Sequence, residues 1–211
     1  MNIAGAKLTI VCNPNAPSGT WITPQQLGQL AEQVEGVLLI DEAYVDFAEQ
    51  SCLEHATRYP NVLVLRSMSK GYSLAGVRFG FAVASPDLTR GMSKVKDSYN
   101  TDAISQAAAA AAIRDQKYHQ ECVRQIRDER TRLNEALRAL GFEVWPSVAN
   151  FLLARIGKPK AANLFSALKR QGIYVRYFNE PRLDDCLRIT VGLPVQNDAL
   201  IENLREVNSE G

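Results

Sequence analysis

The run Val37-Leu38-Leu39-Ile40 ends in two consecutive carboxylates, Asp41 and Glu42. A carboxylate pair at the end of an apolar strand can hold Mg²⁺ and polarise water, as a nucleotide hydrolase requires. The chain has no G-x-x-x-x-G-K-[ST] phosphate loop to accompany it. Lys70, in Ser67-Met68-Ser69-Lys70-Gly71, lacks the spaced glycines of such a loop. It follows a second apolar run, Val62 to Leu65, and precedes Gly76 and Arg78. An amine in that place is a candidate Schiff-base former, because burial or a neighbouring cation lowers its pKa and frees its lone pair. Two chemistries are thus open: metal-assisted hydrolysis at Asp41 and Glu42, or covalent amine chemistry at Lys70.

Other reactive residue types narrow the field. Cys12, Cys52, Cys122 and Cys186 are far apart, with no C-x-x-C and no histidine at ligand spacing, so no metal site is predicted. His55 and His119 stand among polar neighbours and read as ordinary surface histidines. The 24 Lys and Arg nearly balance the 23 Asp and Glu, and a formal charge of +1 gives no field to draw in nucleic acid or an anionic membrane. No tract approaches the roughly 20 apolar residues of a bilayer crossing. Met1 to Thr20 lacks the basic and apolar regions of a signal peptide, so a cytoplasmic protein is expected.

The elements that must position Lys70 and Asp41 follow from the pattern. Lys7 to Cys12 is a β-branched run that stops at the loop Asn13-Pro14-Asn15-Ala16-Pro17-Ser18-Gly19. Thr23-Pro24 opens a helix with Leu27, Leu30, Ala31 and Val34 at helical spacing, ending at Gly36. Val37 to Ile40 is fully apolar and suits a strand covered on both faces, with Val62 to Leu65 and Phe79 to Ala84 as further buried strands. Helices are predicted over Ala103 to Ile113 and Tyr118 to Leu140, the latter ended by Gly141. Then come a strand over Asn150 to Ile156, a helix over Ala161 to Gln171, strands over Ile173 to Phe178 and Cys186 to Val191, and a helix over Asn197 to Val207. At about 150 residues per domain, 211 residues accommodate an α/β domain over 1–129 and a small α+β domain over 130–211. Ligands of α/β sheets bind at the carboxyl ends of the strands, where the polar clusters lie.

Four segments occur in order: Asn13-Pro14-Asn15-Ala16-Pro17-Ser18-Gly19, Asp41-Glu42-Ala43-Tyr44-Val45-Asp46-Phe47, Ser67-Met68-Ser69-Lys70 through Arg78, and Cys186-Leu187-Arg188-Ile189-Thr190-Val191-Gly192. Together they resemble fold-type I aminotransferases that depend on pyridoxal 5'-phosphate (PLP), and within them the histidinol-phosphate aminotransferase branch. The resemblance covers essentially the whole chain. It implies the C-terminal part of a large PLP-binding domain, with a mostly parallel sheet, followed by a small C-terminal domain.

The resemblance also implies roles. Lys70 is the amine that holds PLP and shuttles the substrate proton, and Asp41 keeps the pyridine nitrogen protonated. Tyr44 donates to the phenolic oxygen of the ring. Ser67, Ser69 and Arg78 hold the cofactor phosphate. Arg176 and Arg188 bind the substrate anion, and two arginines on one dianion suit a phosphate ester. The implied reaction transfers the amino group of histidinol phosphate to 2-oxoglutarate in histidine biosynthesis, in a homodimer. A related PLP enzyme such as phosphothreonine decarboxylase shares the core residues.

The sequence departs from the family pattern in having Ala16 where an asparagine usually precedes Pro-Thr-Gly, so that contact is not carried over. Family members also have a long segment ahead of the Asn-Pro region. The chain is therefore expected to be the C-terminal part of the family's polypeptide, to keep apolar strand surface exposed, to self-associate, and to turn over substrate poorly unaided.

Overall fold

The computed structural model describes residues 5–157 and 160–209. It forms two compact units, Met1–Asn15 with Trp21–Cys122, and Ala16–Thr20 with Val123–Gly211.

The first unit is built on four strands in the order β1 (Leu8–Cys12), β2 (Val37–Asp41), β3 (Val62–Ser67) and β4 (Gly80–Ala84). The first three are parallel and β4 runs antiparallel to β3, so the sheet is mostly parallel as expected. Helix α1 (Pro24–Gln33) starts where Thr23 and Pro24 predict. Thr23 Oγ1 accepts from the Gln26 N–H while Gln26 Oε1 accepts from the Thr23 N–H, satisfying two donors the first turn would otherwise leave bare. At its far end the Asn61 side chain donates to the carbonyls of Ala31, Val34 and Gly36. Leu27 and Ala31 of α1 and Ala56 of the short α2 (His55–Arg58) pack on Leu38, Ile40, Val62 and Val64. Each fully buried leucine or valine there contributes about 1.5–3 kcal/mol.

β2 is covered on one face only, in contrast to the reading of a strand buried on both. Leu38 and Ile40 are fully buried, whereas Val37 and Leu39 are half-buried. On the same face as Leu39, Leu8 and Ile10 of β1 are 52% and 60% exposed. The reason is that α1 and α2 both lie on the Leu38–Ile40 side. β4 is likewise only partly covered. Three helices complete the connection: α3 (Pro86–Val95), which the periodicity did not announce, α4 (Ala103–Arg114) capped by Asp102, and α5 (Gln116–Ala139). Ser105 of α4 donates to the Val77 carbonyl and fastens that helix to the loop before β4. Gly141, at φ 86°, takes the left-handed conformation that ends α5 cheaply only for glycine.

The second unit holds an antiparallel sheet ordered β5 (Glu143–Val144), β6 (Phe151–Arg155), β8 (Cys186–Thr190) and β7 (Arg176–Tyr177). Helices α6 (Ala161–Arg170) and α7 (Pro194–Ser209) and the end of α5 cover one face. Leu152, Ala154, Leu187 and Ile189 point into that core beside Leu133, Leu164 and Leu204. The strand predicted over Ile173 to Phe178 is paired only at Arg176 and Tyr177, and α7 begins at Pro194 rather than Asn197.

Candidate active site

The three parallel strands end at one level. The Asn13 N–H donates to the Asp41 carbonyl (2.8 Å) and the Glu42 N–H to the Leu65 carbonyl (2.9 Å), so the loops after β1, β2 and β3 leave the sheet together. Asp41 is the register partner of Cys12 on one side and Leu65 on the other. Its Oδ1 accepts from the Ala43 N–H at 3.0 Å, and its Oδ2 lies 4.0 Å from Cys12 Sγ. Partial burial and the Asp41 charge push the Cys12 thiol pKa up.

Glu42 points to the other side of the strand, because consecutive strand residues alternate. Its carboxylate is buried and fully engaged: it accepts from Ser51 Oγ and the Cys52 N–H and pairs with Arg66 Nε at 2.9 Å. A metal site sharing Asp41 and Glu42 would need both carboxylates on one side of the strand. The hydrolase reading therefore loses the residue it depends on.

Lys70 follows β3 after the short turn in which Ser67 Oγ accepts from the Ser69 N–H. Its Nζ lies 5.6 Å from the centroid of the Tyr44 ring. Among the described residues no carboxylate is within ion-pair distance of Lys70. Met68 is tied to β4 by its N–H to the Phe79 carbonyl, and Ser67 pairs with Gly80, which brings Arg78 back towards the serine turn. Arg78 donates to Ala75 O and is otherwise exposed. Arg78 and Ser73 both have positive φ, at 54° and 56°. Such backbone costs non-glycine residues about 1–3 kcal/mol and persists where the surroundings impose it, often at ligand sites. Asp41, Tyr44, Ser67, Ser69, Lys70 and Arg78 thus converge on the carboxyl edge of the first sheet.

Arg176 and Arg188 lie in the second unit as register partners on β7 and β8. They share the face opposite the leucine core with Phe178 and Phe151. Arg188 lies over Phe151 at 5.0 Å, and its buried Nε has no acceptor. Among the described residues neither arginine meets a carboxylate.

Sequence reasoning missed three residues at the first site. Cys12 is brought to Asp41 by strand register alone. Asp46 lies within a quoted motif but was given no task. His119 is no surface histidine: its side chain is 11% exposed, stacked on Tyr72 at 4.1 Å between ring centroids, with Nε2 3.7 Å from Asp46. Nothing local to its polar helix signals that contact. His55 too is partly buried, with Nε2 2.7 Å from the Pro24 carbonyl.

Fold and site define an α/β domain that places an amine and a carboxylate at the carboxyl edge of its sheet. The chain belongs to the aminotransferase class I and II family, whose model matches residues 2–204. It is 49% identical to histidinol-phosphate aminotransferase 1 of Trichormus variabilis over 97% of this chain and 58% of that relative. The chain thus spans a little over half the length of the curated relatives it matches. Among solved structures, histidinol-phosphate aminotransferase from Sinorhizobium meliloti in complex with pyridoxal-5'-phosphate matches with a TM-score of 0.86, at 29% identity, over 97% of this chain and 58% of that one. L-threonine-O-3-phosphate decarboxylase from Porphyromonas gingivalis matches at 0.82 and 25% identity, over 98% and 66%.

Proposed function

We propose that the chain carries the cofactor and substrate groups of a PLP-dependent transaminase that exchanges an amino group between histidinol phosphate and 2-oxoglutarate in histidine biosynthesis. The observation that carries this reading is a separation of uncompensated charge. Lys70 and Arg78 have no anionic partner among the described residues, the hydroxyls of Ser67 and Ser69 lie in the same turn, and Asp41 stands at the end of the adjacent strand without a cation. That donor set fits PLP, which carries a phosphate at one end and a basic ring nitrogen at the other.

When bound, the cofactor supplies an electron sink for the electrons left on the substrate carbon after it loses a proton. The chain supplies the rest. Asp41 holds the proton on the ring nitrogen, and Tyr44 donates its hydroxyl to the phenolic oxygen. Ser67, Ser69 and Arg78 hold the phosphate by charge-assisted hydrogen bonds. Lys70 would hold the cofactor through its amine, and its Nζ would serve as the base that takes the proton from the substrate carbon. Arg176 and Arg188 hold the substrate phosphate. In this reading residues 1–129 are part of the cofactor domain and 130–211 the small domain. The enzyme works in the cytoplasm as a homodimer, which would cover the exposed Val95, Tyr99 and Ile104. No helix among the described residues is long and apolar enough to cross a membrane.

Lys70→Ala should abolish the visible absorbance of the bound cofactor and its fixation by borohydride. Colour and fixation that persist would mean another lysine does this work. The similarity to the decarboxylase supports a second PLP reading, since the arginine pair would hold either phosphate ester. Release of CO₂ from O-phosphothreonine, without amino transfer from histidinol phosphate, would establish it instead.

A further inference from the structure

We propose that Asp46 and His119 are positioning residues that fix the turn carrying Lys70, an inference that rests on the reading of Lys70 as the reactive amine. Asp46 lies in the helical turn Val45–Phe47, just after Tyr44, and its side chain is 7% exposed. It packs against Gly71, the residue after Lys70, so closely that a methyl group there would collide with the carboxylate. The next residue, Tyr72, is held from the side of α5 by the stacked His119 ring, the two planes inclined by 15°. His119 Nε2 is 3.7 Å from Asp46 Oδ1, so the groups holding Gly71 and Tyr72 face each other.

This clamp is anchored. The Arg66 guanidinium lies 3.4 Å from Asp46, 2.9 Å from Glu42 and 2.9 Å from Ser51 Oγ. One arginine thus joins the strand that leads into Lys70 to the turn that follows Asp41. Within the Lys70 loop, Ser73 N–H donates to Lys70 O and Leu74 N–H to Met68 O, closing the turn on itself. Burial raises the Asp46 pKa, the Arg66 and His119 charges opposing it only in part. A buried carboxylate held at that cost is weak evidence for stability as its purpose. Lysine has a flexible four-carbon stem, so its backbone must be set by its neighbours, and a displacement of about 1 Å at a reacting group can cost about 10²-fold in rate.

The test compares wild-type protein with Asp46→Ala, Asp46→Asn and His119→Phe, the last keeping a stacked ring without a nitrogen facing Asp46. Two readouts are taken: amide hydrogen exchange of residues 70–74 without cofactor, and the rate at which PLP and borohydride fix to Lys70 relative to other lysines, by peptide mass. Asp46→Ala should speed exchange in 70–74 about tenfold while leaving β2 and β3 protected, and slow Lys70 fixation about tenfold, with partial recovery in Asp46→Asn. His119→Phe should give a smaller change of the same kind. A lower melting temperature with unchanged exchange at 70–74 and unchanged relative fixation would overturn the proposal. Should Asp46→Ala fail to fold, the isosteric Asp46→Asn against wild type decides on the same readouts. If wild-type Lys70 is not fixed at all while exchange at 70–74 still responds to Asp46, the cofactor reading fails and the clamp stands.

Discussion

Arg176 and Arg188 are cross-strand partners, and the guanidinium of each lies over the ring of Phe178, at 5.4 and 5.8 Å. Like charges opposite one another on a sheet are destabilising, and cation–π contact offsets only about 0.5–1 kcal/mol per pair at exposed sites. The arrangement is relieved by an anion, and a dianion relieves it most.

Inorganic phosphate should therefore raise the thermal midpoint of the protein, and Arg176→Gln or Arg188→Gln should remove that gain. Under the proposed function, charge-assisted bonds of about 1.5–3 kcal/mol predict that Arg176→Gln lowers kcat/KM for histidinol phosphate by roughly ten- to a hundredfold. The loss for unphosphorylated histidinol should be much smaller. Equal losses for the two would show that Arg176 does not read the phosphate.

Glu42 is a structural carboxylate, fully buried against Arg66. Glu42→Ala should destabilise the chain by about 1–3 kcal/mol, the cost of leaving the Cys52 N–H and Ser51 without their buried acceptor, while Asp46 still faces Arg66. Glu42→Gln should cost less, because the amide still accepts from Ser51. Denaturant unfolding measures both, and a neutral Glu42→Ala would contradict the assigned network.

Thiol labelling should sort the cysteines by environment. Burial, with Glu42 beside one thiol and Asp185 beside the other, pushes the Cys52 and Cys186 pKa values up to about 12. The reactive species is the thiolate, so both should resist alkylation in the folded protein at neutral pH. Cys12 is exposed but also raised, by burial and then by Asp41, so its labelling should accelerate as pH rises. Asp41→Asn removes a negative neighbour, favours the thiolate, and should speed Cys12 labelling at a given pH. Labelling followed by peptide mass, with Cys12 no faster in Asp41→Asn, would refute the pairing.

Acid should weaken the second unit through Glu129. Hydrogen bonds from Arg132 and Asn197, the first the larger, hold its carboxyl below the ordinary 4.5. A depressed carboxylate contributes stability that is complete above its unfolded pKa and is lost as pH falls through its folded value. Glu129→Gln should therefore melt lower than wild type at pH 7, and the difference should close in acid below the ordinary value. A constant difference from pH 7 to pH 3 would show that charge plays no part.

The sequence determined the elements and the motifs. Apolar runs bounded by Gly36, Asp41 and the Asn13-Pro14 loop place β1, β2 and β3, Thr23-Pro24 starts α1, and Gly141 ends α5, since these signals act within a few residues. The order of the motifs around Asp41, Lys70 and Arg188 pointed to the family that residues 2–204 match. The tertiary structure decided what those residues face. Strand register set Cys12 beside Asp41, chain alternation sent Glu42 to Arg66, and packing of α5 turned His119 from a polar helix residue into the partner of Asp46 and Tyr72. It also put Arg176 opposite Arg188, 12 positions along the chain in sequence number but paired in register. Local propensity is set by neighbours along the chain. Register and side-chain partners are set by which distant faces exclude water together, and one sequence read alone leaves those choices open.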